Sequence, residues 1–252
     1  MKIQYCSDLH LEFNENKNFI ENNPLIPVGD ILILAGDILL FKQMSKGSDF
    51  FSYVSDNFKE TYWIAGNHEY YNYDITKKPS QYTEKISSNV TLLNNNVIKI
   101  DDVNFIFATM WSKISEHKGF AIQQGLNDFH VIKNNGNRLS VSDYNNLHDT
   151  DLNFIKDSVE KTKGEKQVVI THHVPTFLNY PEQYKNSPIN EAFATELFDF
   201  IVDTNINKWI YGHSHANIPS FKIGETEMLT NQLGYVRHNE HNLFKLNACF
   251  EI

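Results

Sequence analysis

Short apolar runs recur along the chain, and each one ends in a polar cluster. Ile3-Gln4-Tyr5-Cys6, Ile31-Leu32-Ile33-Leu34-Ala35, Tyr62-Trp63-Ile64-Ala65, Val168-Val169-Ile170 and Trp209-Ile210-Tyr211 are too short for helices and too continuous for one-sided strands. Such runs predict strands buried on both faces. The full pattern predicts strands over 2–7, 31–35, 61–65, 91–93, 96–100, 103–109, 166–171, 208–211, 219–223, 226–231 and 243–250. It predicts helices near 43–58, 80–88, 141–162 and 190–204. Ser140-Val141-Ser142-Asp143 has the spacing of a capping box, with Asp in place of Glu, at the start of the third helix. Helices packed against two sheets fit this order. No internal repeat or long linker divides the chain, so residues 1–252 read as one domain. The stretches 111–137 and 174–189 read as long loops, the kind that wall a binding site.

The polar clusters are Asp8-Leu9-His10, Gly36-Asp37, Gly66-Asn67-His68-Glu69, His172-His173 and Gly212-His213-Ser214-His215. Ligands of open α/β sheets collect at the carboxyl ends of strands, so the pattern brings five loops to one edge. An i, i+2 pair leaving a strand, such as Asp8 and His10 or His213 and His215, points both side chains one way. Carboxylate, imidazole and amide together suit Mn, Fe, Zn, Ni or Co rather than soft copper or all-oxygen calcium sites. Asp8, His10, Asp37, Asn67, His172, His213 and His215 are too many ligands for one tetrahedral zinc. Shared between two ions about 3.5–4 Å apart, they suit a centre that clamps a phosphate and lowers the pKa of a bound water.

Composition narrows the partners. The formal charge is -9, and Arg138 and Arg237 are the only arginines. That balance does not suit a surface that tracks duplex nucleic acid. At 41% hydrophobic residues the chain can bury a sizeable core. No stretch approaches the roughly 20 apolar residues of a membrane span, and the N-terminus enters a strand without a signal-peptide apolar region. Cys6 and Cys249 are the only cysteines and form no CxxC. A cytoplasmic protein with reduced thiols is expected.

Taken in order, the five clusters resemble the calcineurin-like metallophosphoesterase superfamily, whose pattern is D-x-H, G-D, G-N-H-[DE], H, then G-H-x-H. The match runs from Asp8 to His215. The resemblance implies an α/β four-layer sandwich, two mixed β-sheets flanked by helices. It implies that Asp8, His10 and His215 hold one divalent metal, that Asn67, His172 and His213 hold the other, and that Asp37 bridges them. His68 is then the acid or phosphate-contacting donor, and the reaction is hydrolysis of a phosphoester by a metal-bridging hydroxide. The stretch Ala192-Phe193, Trp209-Ile210-Tyr211-Gly212-His213 and Gly234-Tyr235 also resembles, more loosely, a subgroup of small bacterial phosphoesterases.

Two departures refine the expectation. Protein Ser/Thr phosphatases carry G-D-x-x-D-R-G, whereas this chain has Gly36-Asp37-Ile38-Leu39-Leu40-Phe41-Lys42. Leu40 stands in place of the acid that orients the catalytic histidine, and Phe41 in place of a phosphate-binding arginine. No tyrosine at this point matches the metal ligand of purple acid phosphatases. A small phosphodiester or phosphomonoester is therefore the expected substrate. The rivals are a metal-dependent nuclease and a scaffold that has lost catalysis. His173 is the alternative to His172 as a ligand. Asp128, His130 and Arg237 are candidate pocket residues, and Tyr70, Tyr71 and Tyr73 are candidates to stack a substrate ring. Trp111, Phe120, Phe129, Phe177, Tyr180 and Tyr184 are the candidate aromatic wall.

Overall fold

The run Ile31–Ala35 is buried at every position because its two faces meet different neighbours. Ile31, Ile33 and Ala35 face a core shared with a second sheet, while Leu32 and Leu34 face helices on the other side. The computed structural model describes all residues, 1–252. In chain order the elements are β1 (Lys2–Cys6), α1 (Asn14–Asn22), β2 (Ile31–Ala35), α2 (Ser48–Asn57), β3 (Glu60–Ile64), β4 (Tyr82–Ser87), β5 (Val90–Asn94), β6 (Asn96–Ile100) and β7 (Val103–Phe107). They continue with α3 (Glu116–Gly125), α4 (Asp128–Val131), β8 (Lys133–Asn134), β9 (Asn137–Arg138), α5 (Val141–Lys161), β10 (Lys166–Ile170), α6 (Phe198–Val202), β11 (Lys208–Ile210), β12 (Phe221–Ile223), β13 (Thr226–Leu229) and β14 (Cys249–Glu251).

Two mixed sheets of six strands result, ordered β14-β1-β2-β3-β5-β4 and β12-β13-β11-β10-β7-β6. In each, four parallel strands are central and both edge strands are antiparallel. Ile3, Ile33 and Ile64 from the first sheet pack on Phe105, Phe107, Val168 and Ile170 from the second. Outside the first sheet lie Phe50, Phe51 and Val54 of α2; outside the second lie Ile155 and Val159 of α5 and Ile201 of α6. This is the four-layer α/β sandwich of the calcineurin-like fold. Each fully buried aliphatic side chain contributes about 1.5–3 kcal/mol, so the shared core fixes the relation of the two sheets. Ser140 caps α5 with a reciprocal capping box to Asp143, as the spacing predicts. No helix is long and apolar enough to cross a membrane.

Several elements differ from the sequence pattern. The helix expected near 80–88 is the edge strand β4, paired antiparallel with β5. Tyr82 and Ile86 lie four apart, a spacing shared by one helix face and one strand face, and the pairing decides. Thr83, Glu84 and Lys85 are exposed along it, and charges on an edge strand resist pairing with other chains. The helix expected over 43–58 is a 3-10 turn at Phe41–Gly47 followed by α2. The helix expected over 190–204 survives only as a 3-10 turn at Asn190–Ala192 and as α6. Between them Ala194 pairs with Val174, and the Glu196 carboxylate accepts from Thr176, Phe177 and Phe198, so this segment anchors the 174–189 loop. The segment expected as strand 243–250 is a 3-10 turn at Glu240–Leu243 and the short β14. The 111–137 stretch carries α3 and α4. Helix α1 gave no sequence signal, and its buried Asn16 donates to Leu9 O and Gly234 O, tying the first loop to a late one.

Candidate metal centre

The ends of β1, β2, β3, β10 and β11 meet at one edge. Their loops are knitted by backbone bonds: Asp8 N–H donates to Gly36 O, His10 N–H to Asp37 O and Gly212 N–H to His172 O, each at 2.9 Å. Asp8, His10, Asp37, His213 and His215 all adopt left-handed backbone, with φ of 56°, 48°, 56°, 72° and 50°. Each such residue costs of order 1–3 kcal/mol and persists only where its surroundings impose it, typically at functional sites. Glu69 is one such constraint. Its buried carboxylate accepts from the backbone N–H groups of Asp37, Ile38 and Gly66 and from Trp63 Nε1. Burial and Asp37 push this carboxyl up to about 8.

The structure brings the seven candidate ligands into two adjoining groups. In one, His10 Nε2 lies 2.9 Å from His215 Nε2, which lies 3.5 Å from Asp8 Oδ1. In the other, His172 Nε2 lies 3.2 Å from Asn67 Oδ1 and 3.1 Å from His213 Nδ1. Asp37 stands between them, with Oδ2 3.7 Å from His10 Nε2 and Oδ1 3.4 Å from His172 Nε2.

Outer partners fix which atoms face inward. His172 Nδ1 donates to Ala35 O, His10 Nδ1 to Glu12 and His215 Nδ1 to Glu240. Asn67 donates its amide to Asp128 Oδ1 at 2.9 Å, which turns its own oxygen inward. Such partners set the tautomer of metal-binding histidines. With the protons of His10, His172 and His215 pointing outward, their inward nitrogens are lone pairs gathered beside the oxygens of Asp8, Asp37 and Asn67, an arrangement that a cation satisfies. Without metal, protons fill that role. Burial opposes it, but Asp37, then Asp8 and Glu69, push His172 up to about 9; Asp8 and Glu240 likewise push His215 up to about 10. Burial raises the Asp37 carboxyl, yet the neighbouring His172 and His68 hold it well below the usual range. The residues therefore fit metal ions. Loading should release protons. At pH 7, calorimetry in buffers of different ionisation enthalpy should show that release, and apparent affinity should rise with pH up to about 10.

His173 faces elsewhere. Its Nε2 lies 3.1 Å from Tyr144 Oη, and burial together with His172 keeps it neutral. His172→Ala is therefore expected to lower the occupancy of one metal position, whereas His173→Ala should leave metal content nearly intact; elemental analysis of the two variants checks this.

Beside the two groups opens a cleft of about 400 Å³, lined by Asp37, Asn67, His68, His213 and His215, by Tyr71, Tyr180, Tyr184, Phe193 and Tyr235, and by polar residues including Asn127 and Asn190. No lysine or arginine lines it. Of the expected aromatic wall, Tyr180 and Tyr184 take part; Trp111 and Phe129 are core, Phe177 packs on the core beside the second sheet, and Phe120 is exposed. Tyr71 stacks on His68, whereas Tyr70 and Tyr73 pack on Phe41, so the position of the absent arginine is core rather than cleft. Asp128 is buried behind Asn67 and Tyr71. His130 is exposed and bonds Gln124 O. Arg237 lies over the Phe13 and Tyr235 rings and bonds His238, outside the lining of the cleft. Sequence reasoning missed Glu12, Glu240 and Tyr235 as parts of the site. Glu12 had a signal, since Asp8, His10 and Glu12 continue one alternation; Glu240 had none.

Residues 1–217 match the calcineurin-like phosphoesterase family, and the chain belongs to it. Members are metal-dependent hydrolases of phosphoesters. The chain is 32% identical, over 281 aligned residues covering 99% of it and 96% of the relative, to an uncharacterised protein, L509, of Acanthamoeba polyphaga mimivirus. Among solved structures it is similar to the phosphopantetheinyl hydrolase PptH of Mycobacterium tuberculosis, with a TM-score of 0.73 at 13% identity, covering 99% of this chain and 95% of that one. At that identity the likeness concerns the fold.

Proposed function

We propose that this chain is a cytoplasmic phosphoesterase that uses two divalent metal ions to hydrolyse a small phosphoester, with a preference for diesters. One observation carries the reading: the two carboxylate oxygens of Asp37 each face a separate group of inward lone pairs. In it, Asp8, His10 and His215 hold one ion, Asn67, His172 and His213 the other, and Asp37 both. Two such ions, of Mn, Fe, Zn, Ni or Co, would neutralise phosphoryl charge and supply a water of near-neutral pKa. The chain's own residues do the rest. Glu12, Glu240 and Asp128 hold His10, His215 and Asn67 in orientation. The aromatic wall receives the organic group of the substrate. His68, buried at the cleft edge, gives a proton to the leaving oxygen.

The cleft's lack of cationic side chains supports a singly charged diester over a dianionic monoester, since the metals alone would offset one charge. The net charge of -9 weighs against duplex nucleic acid. Cys6 and Cys249 are unpaired, as suits a reducing compartment. The test is metal analysis followed by kcat/KM with Mn²⁺ for a chromogenic diester, a chromogenic monoester, a phosphopantetheinyl diester, a phosphopeptide and a short DNA duplex. Best activity on the duplex or the phosphopeptide at physiological salt would overturn the substrate reading; no hydrolysis with two metals bound would favour the non-catalytic scaffold. His68→Ala should lower kcat by about 10²–10³, within the range of a general acid, with metal content unchanged. Metal loss in that variant would mean a structural role.

A further inference from the structure

Leu40 gives His68 no carboxylate; its side chain is apolar and buried. A different loop supplies one. Glu12 Oε1 accepts from His68 Nδ1 at 3.0 Å and from His10 Nδ1 at 3.1 Å, and the Glu12 side chain is 5% exposed. Its Oε2 is buried with no protein partner. A carboxylate oxygen only accepts, so both imidazoles carry their proton on Nδ1. Tyr71 stacks on the His68 ring with centroids 4.1 Å apart, which leaves it little room to turn. Nε2 is then the nitrogen His68 presents to the cleft, where it lies 3.3 Å from Tyr235 Oη. Asp37 and Asp128 are the other acids facing His68, and His10 is the nearest competing base.

We propose, on the phosphoesterase reading above, that Glu12 is the positioning residue of His68, in the role for which Leu40 is unfit. Held by Glu12 at Nδ1, His68 gives its Nε2 proton to the leaving oxygen. The phosphorus–oxygen bond to the leaving group breaks with its electron pair staying on that oxygen, while the oxygen of a water that has released one proton to solvent forms the new bond to phosphorus; that proton balance lets solvent reprotonate His68 for the next turnover. His68 is left neutral, its Nδ1–H still on Glu12. Because the same oxygen also grips His10, one carboxylate sets both the proton donor and a candidate metal ligand.

The experiment uses Glu12→Leu, which removes the acceptor, and Glu12→Gln, which keeps an oxygen but not the charge. With Mn²⁺ and chromogenic diesters of graded leaving-group basicity, Glu12→Leu should lower kcat by about 10–100-fold, the usual cost of losing such an outer partner, with KM unchanged. Glu12→Gln should fall between it and the unmodified protein. The defect should shrink for less basic leaving groups, and at saturating Mn²⁺, where the Glu12 contact to His10 is no longer limiting, Glu12→Leu should add little in a His68→Ala background. Nitrogen-15 NMR of the metal-free protein, at a pH high enough for His68 to be neutral, should show it as the Nδ1–H tautomer, and that preference should be lost in Glu12→Leu. With Mn²⁺ held saturating for every variant, a defect that multiplies with His68→Ala or is flat across leaving groups would overturn the proposal, as would an unchanged tautomer. If the unmodified protein cleaves no phosphoester, the phosphoesterase reading fails, and the tautomer measurement still decides the Glu12–His68 pairing.

Discussion

Replacing Asp37 by Asn should strip metal from both positions and lower kcat/KM by at least about 10³, beyond the 10–100-fold typical of losing an outer partner of a ligand. Asp37 is the side chain that both groups share, with Oδ2 3.7 Å from His10 Nε2 and Oδ1 3.4 Å from His172 Nε2. The amide keeps the volume but not the charge, and it turns an N–H₂ toward one of two imidazoles whose lone pairs face inward. Oδ1 also accepts the His68 backbone N–H at 2.9 Å, so the Gly66–Glu69 loop loses part of its anchor. The chain should still fold, because Glu69 holds both loops by their backbone. Elemental analysis, kinetics and circular dichroism together check this. A folded Asp37→Asn protein that keeps two tightly bound metals and normal turnover would remove Asp37 from the shared role.

The parts of the fold legible in the sequence are those fixed by continuous burial. The strand Ile31–Ala35 and the Val168–Ile170 part of β10 sit between two apolar layers, so every position is apolar and the run stands out. Five clusters at five strand ends were legible for the same reason, since the chain leaves a buried strand and immediately turns polar. What was not legible depends on partners distant in sequence. Tyr82–Ser87 becomes a strand through its pairing with Val90–Asn94, not through its own pattern. Asn190–Val202 breaks because Ala194 pairs with Val174. Glu240 reaches His215 only because a 3-10 turn and the left-handed Asn239 bring it back across the site. Leu40 offers His68 no carboxylate, which the sequence shows, but Glu12, which does contact His68, comes from the first loop, and only the packed loops reveal the pairing.

Gly66→Ala should have the second largest effect, although it adds a single methyl group and removes no functional atom. A Cβ at this position would lie 2.2 Å from Asp37 Oδ1 and 2.6 Å from His172 Nε2, inside the space where these two candidate ligands converge. Neither neighbour can yield freely. Asp37 is held by the His68 N–H, and His172 by its Nδ1 bond to Ala35 O at 2.9 Å. Gly66 cannot retreat either, because its own N–H donates to Glu69 Oε2 at 2.8 Å. The strain must therefore move Asp37 and His172 apart. Overpacking of this kind costs about 1–3 kcal/mol of stability, which thermal unfolding of the metal-free protein would register as a modest loss. The effect on function should be far larger. A displacement of about 1 Å at a reacting centre costs about 10²-fold, and here two candidate metal ligands move together, so a loss of about 10³-fold or more is expected. The added methyl group lies against His172 and Asp37 rather than against His10 or Asp8, so the position built on Asn67, His172 and His213 should empty first as metal is withdrawn by a graded chelator. Gly212→Ala is the matched control, since its Cβ would lie 2.6 Å from Asp8 Oδ2 and should empty the other position first. If Gly66→Ala keeps full metal content and turnover, the gap between Asp37 and His172 is not where an ion sits, and the assignment of the second metal to this face of Asp37 is wrong.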